Sequence, residues 1–519
     1  MWRLTTPSSL IGTSAGVLLT LAACGDGNKT PTGPPPPPPP PRTVSHYVAP
    51  EGSNAADGSK AHPWDAATAL AGGQPAGAVQ PGDTIWLRGG TYHGPFRSTV
   101  SGSQGAPVVV RQYPGERAII DGAGTPRGTS VLRVGGPWTV FWGFEITNSD
   151  PNRITTDSAV PHDWRPNVVA NYASHTKYID LVVHDGGVAF YNESDYADVE
   201  IAGCLIYNNG WQGPVFGDGH ALYLRSAVGP VIARHNIMFN QFGYGVHAYT
   251  DSAVGGLVGI TLDGNVSFNN GAVSLQYAGS DNANLLIGGG QPVTASTVRN
   301  NMTYFSPGIG LHNVVLGFKS FLNSDLTFEN NYMVGGAWVL TVGAWSRLSV
   351  AGNTLAGPKG MTRLKKSDLS GFSWNGNTHL RSPTAKAWQY GDSGYGFAAW
   401  KAATRVTATD VASPETPSLP KVFVQVSPWE AGRANVIVYN WGRAASVLAN
   451  LEGALHVGDR FEVRNVQDFF GAPVASGTYS GGAVSIPMGG VPPPAVIGGA
   501  PHAPPQTGPD FDVFVVLRP

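Results

Sequence analysis

Two short segments carry the residues of this chain best suited to chemistry. Leu222-Tyr223-Leu224-Arg225 places a phenol and a guanidinium two residues apart, and Val246-His247-Ala248-Tyr249 places an imidazole and a phenol at the same spacing. The first and third residues of each segment are apolar. Side chains alternate faces along a strand, so Tyr223 with Arg225, and His247 with Tyr249, share the face opposite the apolar pair. If the segments stack as neighbouring strands about 4.8 Å apart, the four polar groups form one patch. Such a patch suits β-elimination in an acidic sugar chain. A cation neutralises the carboxylate beside the weakly acidic C5 proton, a base takes that proton, and an acid protonates the departing O4. Arg225 fits the first role. His247 or Tyr223 fits the base, and Tyr249 or the other of that pair fits the acid. His220, three residues before Tyr223, lies at the strand entry and can substitute for either.

Two carboxylates offer a different chemistry. Asp218 precedes His220 and Asp251 follows Tyr249. Glycoside hydrolysis uses two carboxyls, about 5–5.5 Å apart for retention and about 6.5–9.5 Å for inversion. Gly217-Asp218-Gly219 also has the composition of a plain turn. Tyr191, Trp211, Trp164, Gln276 and His312 are candidates for substrate binding around the patch, and Trp138 and Trp142 add aromatic surface in the same half. Calcium needs six to eight oxygens and several close carboxylates. Asp180, Asp185, Asp195, Asp198 and Glu200 are near in sequence but scattered by face. No cofactor is therefore predicted, with Ca2+ left open and the metal ligands unknown. The His and Cys residues form no zinc pattern.

A repeated phrase, Asn-apolar-x-apolar, positions these residues. It occurs at Asn236-Ile237-Met238-Phe239, Asn265-Val266-Ser267-Phe268, Asn301-Met302, Asn331-Tyr332, Asn353-Thr354-Leu355 and Asn377, with Cys204 at the equivalent place in an earlier copy. From Cys204 the steps are 32, 29, 36, 30, 22 and 24 residues. Such periods indicate a stacked array. The copies are too short for βαβ units and read as coils of a parallel β-helix, with one Asn per coil at a tight turn in the αL region. Strands preceding the phrase align Val188–Tyr191, Leu222–Arg225, Val246–Tyr249, Val273–Gln276 and Ile309–His312. One outward column then reads Ala189, Tyr223, His247, Ser274, Gly310. Its neighbour reads Tyr191, Arg225, Tyr249, Gln276, His312. A slip of one residue would turn these side chains inward.

Charged residues make up 13% of the chain, with a formal net charge of −2. That lacks the basic footprint of nucleic-acid binding. Two cysteines, Cys24 and Cys204, do not make a disulfide framework. Residues 1–23 carry a single charge, Arg3, and an apolar run from Leu10 to Leu21, too short for a spanning helix and fitting a signal peptide. Leu21-Ala22-Ala23-Cys24 resembles a bacterial lipobox, which implies cleavage before Cys24, lipidation of its sulfur and membrane attachment there. Gly25 at the next position implies, by the same resemblance, the outer membrane or cell surface. Residues 24–43 form a tether with an unbroken run from Pro34 to Pro41, stiff and extended.

Residues 44–405 read as the solenoid, capped by Ala66–Leu70 and closed near Tyr395–Lys401. Residues 406–420 read as a linker, and 421–519 as a small antiparallel β-sandwich with strands near 422–426, 435–439, 461–464, 483–486 and 511–516. Tyr47-Val48-Ala49-Pro50, Asp57-Gly58-Ser59 and Pro81-Gly82-Asp83-Thr84 resemble the N-terminal coils of bacterial right-handed β-helix proteins of the pectate-lyase-like superfamily, over roughly residues 45–400. The C-terminal region resembles accessory β-domains of carbohydrate-active enzymes. The resemblance implies an all-β, right-handed solenoid and a polysaccharide partner. The calcium and Lys/Arg motifs of the chondroitinase-B-like and alginate-lyase-like branch are not recognisable here. Three readings stay open: a polysaccharide lyase for uronic-acid-containing glycans, a glycoside hydrolase using Asp218 and Asp251, or a non-catalytic glycan-binding or adhesive surface protein. A monomer is expected for any of them.

Overall fold

The polar phrase that opens each coil becomes a buried hydrogen-bonded ladder. In the computed structural model, which describes residues 43–519 except 215, 252–253, 276–281, 320 and 366, Asn236, Asn265, Asn301, Asn331, Asn353 and Asn377 lie in line. Each donates from Nδ2 to the Oδ1 of the next at 2.8–3.0 Å, and Asn377 donates to Asp410 at 3.1 Å. All six are buried. The ladder satisfies backbone groups that a sharp interior turn would leave orphaned. The left-handed residue is not the ladder Asn, as its turn chemistry suggested, but the one before it: His235 at φ 55°, Gly264 at 66°, Asn300 at 56°, Asn330 at 55°. The closing Asn of the phrase, at Asn208, Asn240 and Asn269, does take αL. Cys204 fills the ladder position of its coil, buried, with its N–H donating to Asn236 Oδ1 at 3.0 Å.

Three twelve-stranded sheets run the length of the solenoid, and each complete coil gives one strand to each. The first runs from Ser45–Val48 to Phe372–Asn375. The second begins at Phe96–Ser98 and ends at Trp388–Tyr390, with Ser393–Tyr395 folding back antiparallel. The third runs from Gly90–His93 to Val411–Ser413. The last strand of the third sheet lies inside the stretch read as linker, where it pairs with Thr378–Leu380. Val, Ile, Leu and Phe from all three sheets fill a continuous core. The Ala66–Leu70 helix, N-capped by Asp65 through the Thr68 N–H, covers one end. The Phe397–Thr404 helix covers the other, with Trp400 fully buried.

The C-terminal strands Lys421–Val426, Ala434–Tyr439, Phe511–Leu517, Arg460–Asn465 and Ala475–Thr478 form an antiparallel sheet in that order, and Ser446–Asn450 pairs with Ala483–Pro487. Residues 41–519 are one compact unit. Ile437, Tyr439, Phe511, Val513 and Val515 pack on the outer face of the solenoid's third sheet, against Tyr207, Ile237, Phe239, Phe268 and Tyr304. Phe239 stacks on Tyr207 at 5.3 Å and on Phe268 at 4.8 Å, and Tyr304 stacks on Phe511 at 4.4 Å. The opposite face of the C-terminal sheet closes a second core around Val436, Val438 and Phe514. The Pro-rich loop 491–505 straps the solenoid. Asn208 Nδ2 donates to the carbonyls of Pro494 and Ala495, the Ile497 N–H donates to Asp185 Oδ1, and the His502 N–H donates to the Val273 carbonyl.

Candidate active site

The second sheet builds the patch. Phe190–Asn192, Leu222–Leu224 and Val246–Ala248 pair in parallel, with Tyr191 beside Tyr223 and Tyr223 beside His247. Phe190, Leu222, Leu224, Val246 and Ala248 point into the core and the residues between them point out, as their alternation requires. Two neighbours differ from the sequence alignment. Tyr191, not Ala189, shares the column with Tyr223, a two-residue shift that keeps the same face outward. The strand after Val246–Ala248 is Ala283–Ile287, which sets Leu286 beside His247. Val273–Leu275 forms no sheet strand. Ser274 is buried in a turn, where its Oγ donates to Gln212 Oε1 at 2.9 Å. Gln276 lies outside the described residues, as do Cys24, the signal segment and the tether. His312 opens the strand after Ala283–Ile287, and its Nδ1 is 3.0 Å from Thr341 Oγ1.

Tyr223, Arg225, His247, Tyr249 and His220 come together. Arg225 Nη2 is 3.5 Å from Tyr223 Oη, and the guanidinium carbon lies 5.3 Å from the Tyr223 ring centre and 5.4 Å from that of Tyr191. The His247 ring stacks between Tyr244 at 4.3 Å and Tyr249 at 4.7 Å. Three side chains that the sequence did not single out complete the set. Glu193 accepts from Tyr191 Oη at 2.8 Å and pairs with Arg225 at 3.4 Å. Lys319 Nζ donates to Tyr249 Oη at 2.8 Å. His162 Nδ1 lies 2.6 Å from Asp218 Oδ2. Glu193 had a readable signal, since it follows Tyr191 at the same two-residue step that joins Tyr223 to Arg225. His162 sits in an aperiodic loop and had none.

Hydrogen bonds fix the protons of the two histidines. The Tyr244 N–H can only donate, and it points at His220 Nδ1 at 3.2 Å. His220 therefore carries its proton on Nε2, which faces His247 Nδ1 at 3.2 Å and Asp218 Oδ1 at 3.3 Å. His247 Nδ1 accepts, so a neutral His247 bears its proton on Nε2. Burial lowers the pKa of His247 well below the ordinary value, and the neighbouring His220 and Arg225 lower it further. Burial also lowers His220, against the pull of Asp218. For Asp218, burial works the other way, but the hydrogen bond to His162, the nearby His220 and the Gly219 N–H outweigh it and hold the carboxyl below its usual range. Burial raises the phenol of Tyr223, opposed by Arg225 beside it.

This arrangement suits elimination better than the hydrolytic pair. A hydrolase acid must hold a proton at working pH, whereas Asp218 is kept ionised between two imidazoles. Asp251 lies 3.7 Å from Arg225 Nη2. Glu193 and Asp251 thus flank a guanidinium, where a calcium site would need a converging set of oxygens. Among the described residues no three His, Cys, Asp or Glu side chains are grouped to hold a metal ion. The described carboxylates at the patch are paired with Arg225 and do not converge on a calcium position.

Trp164 and Trp211 do not form a rim. Trp211 is 1% exposed and Trp164 6%. Their rings pack 5.4 Å apart under the 153–165 loop, and Trp211 Nε1 donates to the His162 carbonyl at 3.2 Å. Burying these large rings stabilises the loop that carries His162 and leaves no face for a sugar. Glu200, Asp185 and Asp180 serve structural pairs. Glu200 binds Lys177 at 2.8 Å and Arg234 at 3.0 Å, Asp185 binds Arg153 at 3.1 Å, and Asp180 meets Arg433 of the C-terminal domain at 3.2 Å.

Residues 46–343 match the sequence model of a family described as "Pel9A-like, right handed beta helix region". Pectate lyase L of Thermoclostridium stercorarium is 24% identical over 302 residues, 56% of this chain and 22% of its own length. Pectate lyase PEL9 of Emericella nidulans is 34% identical over 142 residues, 24% of this chain and 33% of its own. The chain thus spans a third or less of the length of these curated relatives. Among solved structures, pectate lyase Pel9A aligns at 17% identity over 65% of this chain and 79% of that one, with a TM-score of 0.38. A rhamnogalacturonan lyase aligns at 14% over 64% and 87%, with a TM-score of 0.45.

Proposed function

The chain belongs to the Pel9A-like right-handed β-helix family, and on that footing we propose that it is a polysaccharide lyase cleaving uronic-acid-containing glycans by β-elimination at the Tyr223–Arg225–His247 patch. The observation that carries this reading is the joint placement of a permanent cation, a phenol against it and a neutral imidazole with a fixed proton. Arg225 neutralises the uronate carboxylate and the enolate that develops from it. Tyr223, its phenolate favoured by Arg225, takes the C5 proton. His247 donates a hydrogen bond from Nε2 to the departing O4, and the Tyr223 hydroxyl passes the proton it has taken from C5 to that oxygen, so that C4=C5 forms as C4–O4 breaks and Tyr223 returns to the phenolate. His162, whose pKa is raised by the hydrogen bond to Asp218, holds that carboxylate ionised beside His220. Glu193 positions Arg225 and Tyr191.

Export through the 1–23 signal, attachment at Cys24 and display on a stiff polyproline tether are part of the same proposal. They would put the patch where an insoluble polymer can reach it. The test is incubation with acidic and neutral polysaccharides, following ultraviolet absorbance and reducing ends together. Elimination raises both signals. Reducing ends without absorbance would mean hydrolysis, and silence on all substrates with retained binding would favour a docking protein.

A further inference from the structure

A cavity of about 550 Å³ lies at the seam between the third sheet and the C-terminal domain, on a different sheet from the patch. Tyr304, Val334, Ala356 and Leu380 are register partners on four successive coils, and Ser413 continues the row on a fifth. The residues that follow these strand ends line one wall. Four inter-strand steps make that wall about 19 Å long. The opposite wall is Tyr439, Asn440 and Trp441. Trp441 is half-buried, with its ring fixed by an Nε1 hydrogen bond to Tyr332 Oη at 3.0 Å. Asp510, also on the wall, is already paired with Arg443 at 2.6 and 3.0 Å.

Two cations on the long wall have no such match. Lys359 and Arg381 follow adjacent strands, and neither has a carboxylate partner among the described residues. Arg381 Nε is buried with no hydrogen-bond acceptor. A largely apolar trough with a fixed indole suits the C–H faces of sugar rings, and two unmatched cations on neighbouring coils suit carboxylates. The cavity volume falls within the range of ligand sites, and its length runs along the solenoid axis.

We propose that this seam binds a short anionic oligosaccharide, with Lys359 and Arg381 meeting uronate carboxylates and Trp441 stacking on a ring. The choice of a uronate ligand rests on the lyase reading, but the site itself does not. It would hold the glycan at a second place, away from the patch, and gives the accessory domain a role in substrate capture.

The test uses full-length protein carrying Arg225→Ala and His247→Ala, so that the patch neither turns over nor anchors the probe. Titration calorimetry with tetragalacturonate should show binding at one site. Lys359→Ala with Arg381→Ala should weaken it at least tenfold without lowering Tm, and cellotetraose should bind at least tenfold more weakly than the acidic oligomer. If the double substitution destabilises the protein, Lys359→Gln alone, at an exposed position, should still weaken binding several-fold. Binding unchanged by these substitutions, equal binding of the neutral oligomer, or none at all would overturn the proposal. In the otherwise unaltered protein, Lys359→Ala with Arg381→Ala should leave elimination of short oligomers intact. Absence of elimination in the unsubstituted protein, with seam binding persisting in the Arg225→Ala, His247→Ala protein, would sink the lyase reading alone.

Discussion

His220 Nε2 sits 3.2 Å from His247 Nδ1, and this contact decides which nitrogen of His247 carries the proton. Because the Tyr244 N–H occupies His220 Nδ1, His220 must donate, and His247 Nε2–H is left as a donor towards the glycan. Nitrogen NMR of the His247 ring should show a protonated Nε2 and an unprotonated Nδ1 at neutral pH. His220→Ala should free that tautomer and lower kcat by roughly a hundredfold, the scale of losing one oriented donor to developing charge, with little change in KM. A protonated Nδ1 in the intact protein would contradict the assignment.

The phenol of Tyr223 gives the reaction a pH direction. Its pKa is raised, chiefly by burial, so the phenolate is scarce at neutral pH. The rate of elimination should therefore climb as pH rises above neutral, until stability fails. Tyr223→Phe should remove that alkaline rise together with about 10²–10⁴-fold of activity. A flat or falling profile in the intact enzyme would assign the base elsewhere.

Stability has its own pH dependence, set by His184. Burial disfavours its charge, but hydrogen bonds to Asp185 at 2.8 Å and Glu145 at 3.0 Å outweigh that and lift its pKa from 6.5 to about 9. A raised pKa stabilises the fold fully below the unfolded value and loses that stabilisation as pH climbs through the folded one. Tm should fall between about pH 6.5 and 9, with a change on the order of 3 kcal/mol. His184→Gln should flatten the decline. Calorimetry across this window checks both.

The ladder can be tested at Asn301, which is buried and donates to the carbonyls of Leu262 and Arg299 as well as to Asn331. Asn301→Ala orphans groups on three coils and should cost about 3 kcal/mol. Because solenoid stability is a sum over neighbours, hydrogen exchange should quicken most in the coils around residues 265–331. Uniform exchange with an unchanged midpoint would mean that the ladder contributes little.

The solenoid and much of the patch were legible because both depend on local rules. The Asn phrase marks one interior position per coil, and Leu222-Tyr223-Leu224 with Val246-His247-Ala248 fixes a two-residue period. The alignment failed one coil later for a physical reason. The chain makes an excursion after Asn269, and Val273-Ser274-Leu275 imitates an alternating strand. The true strand, Ala283–Ile287, is buried at every residue and carries Asn284 inside, where it donates to Asn313 at 2.9 Å. The docking of the C-terminal sheet was missed although a signal existed. Ile237-Met238-Phe239 is buried on both faces, as are Leu205-Ile206-Tyr207 and Val266-Ser267-Phe268, and continuous burial means a covered sheet. His162 reaches Asp218 across 56 residues, a contact no local pattern announces.

The most direct test of the account is elimination itself, measured as ultraviolet absorbance of the unsaturated uronate product together with reducing ends, on an acidic polysaccharide. We expect both signals to rise in parallel with the intact enzyme. Arg225→Ala should cut kcat/KM by about 10²–10³-fold, the scale of losing a group that stabilises transition-state charge, and His247→Ala should cause a similar loss, both with Tm unchanged. Undiminished elimination in Arg225→Ala, or product without the unsaturated chromophore, would contradict a lyase centred on this patch.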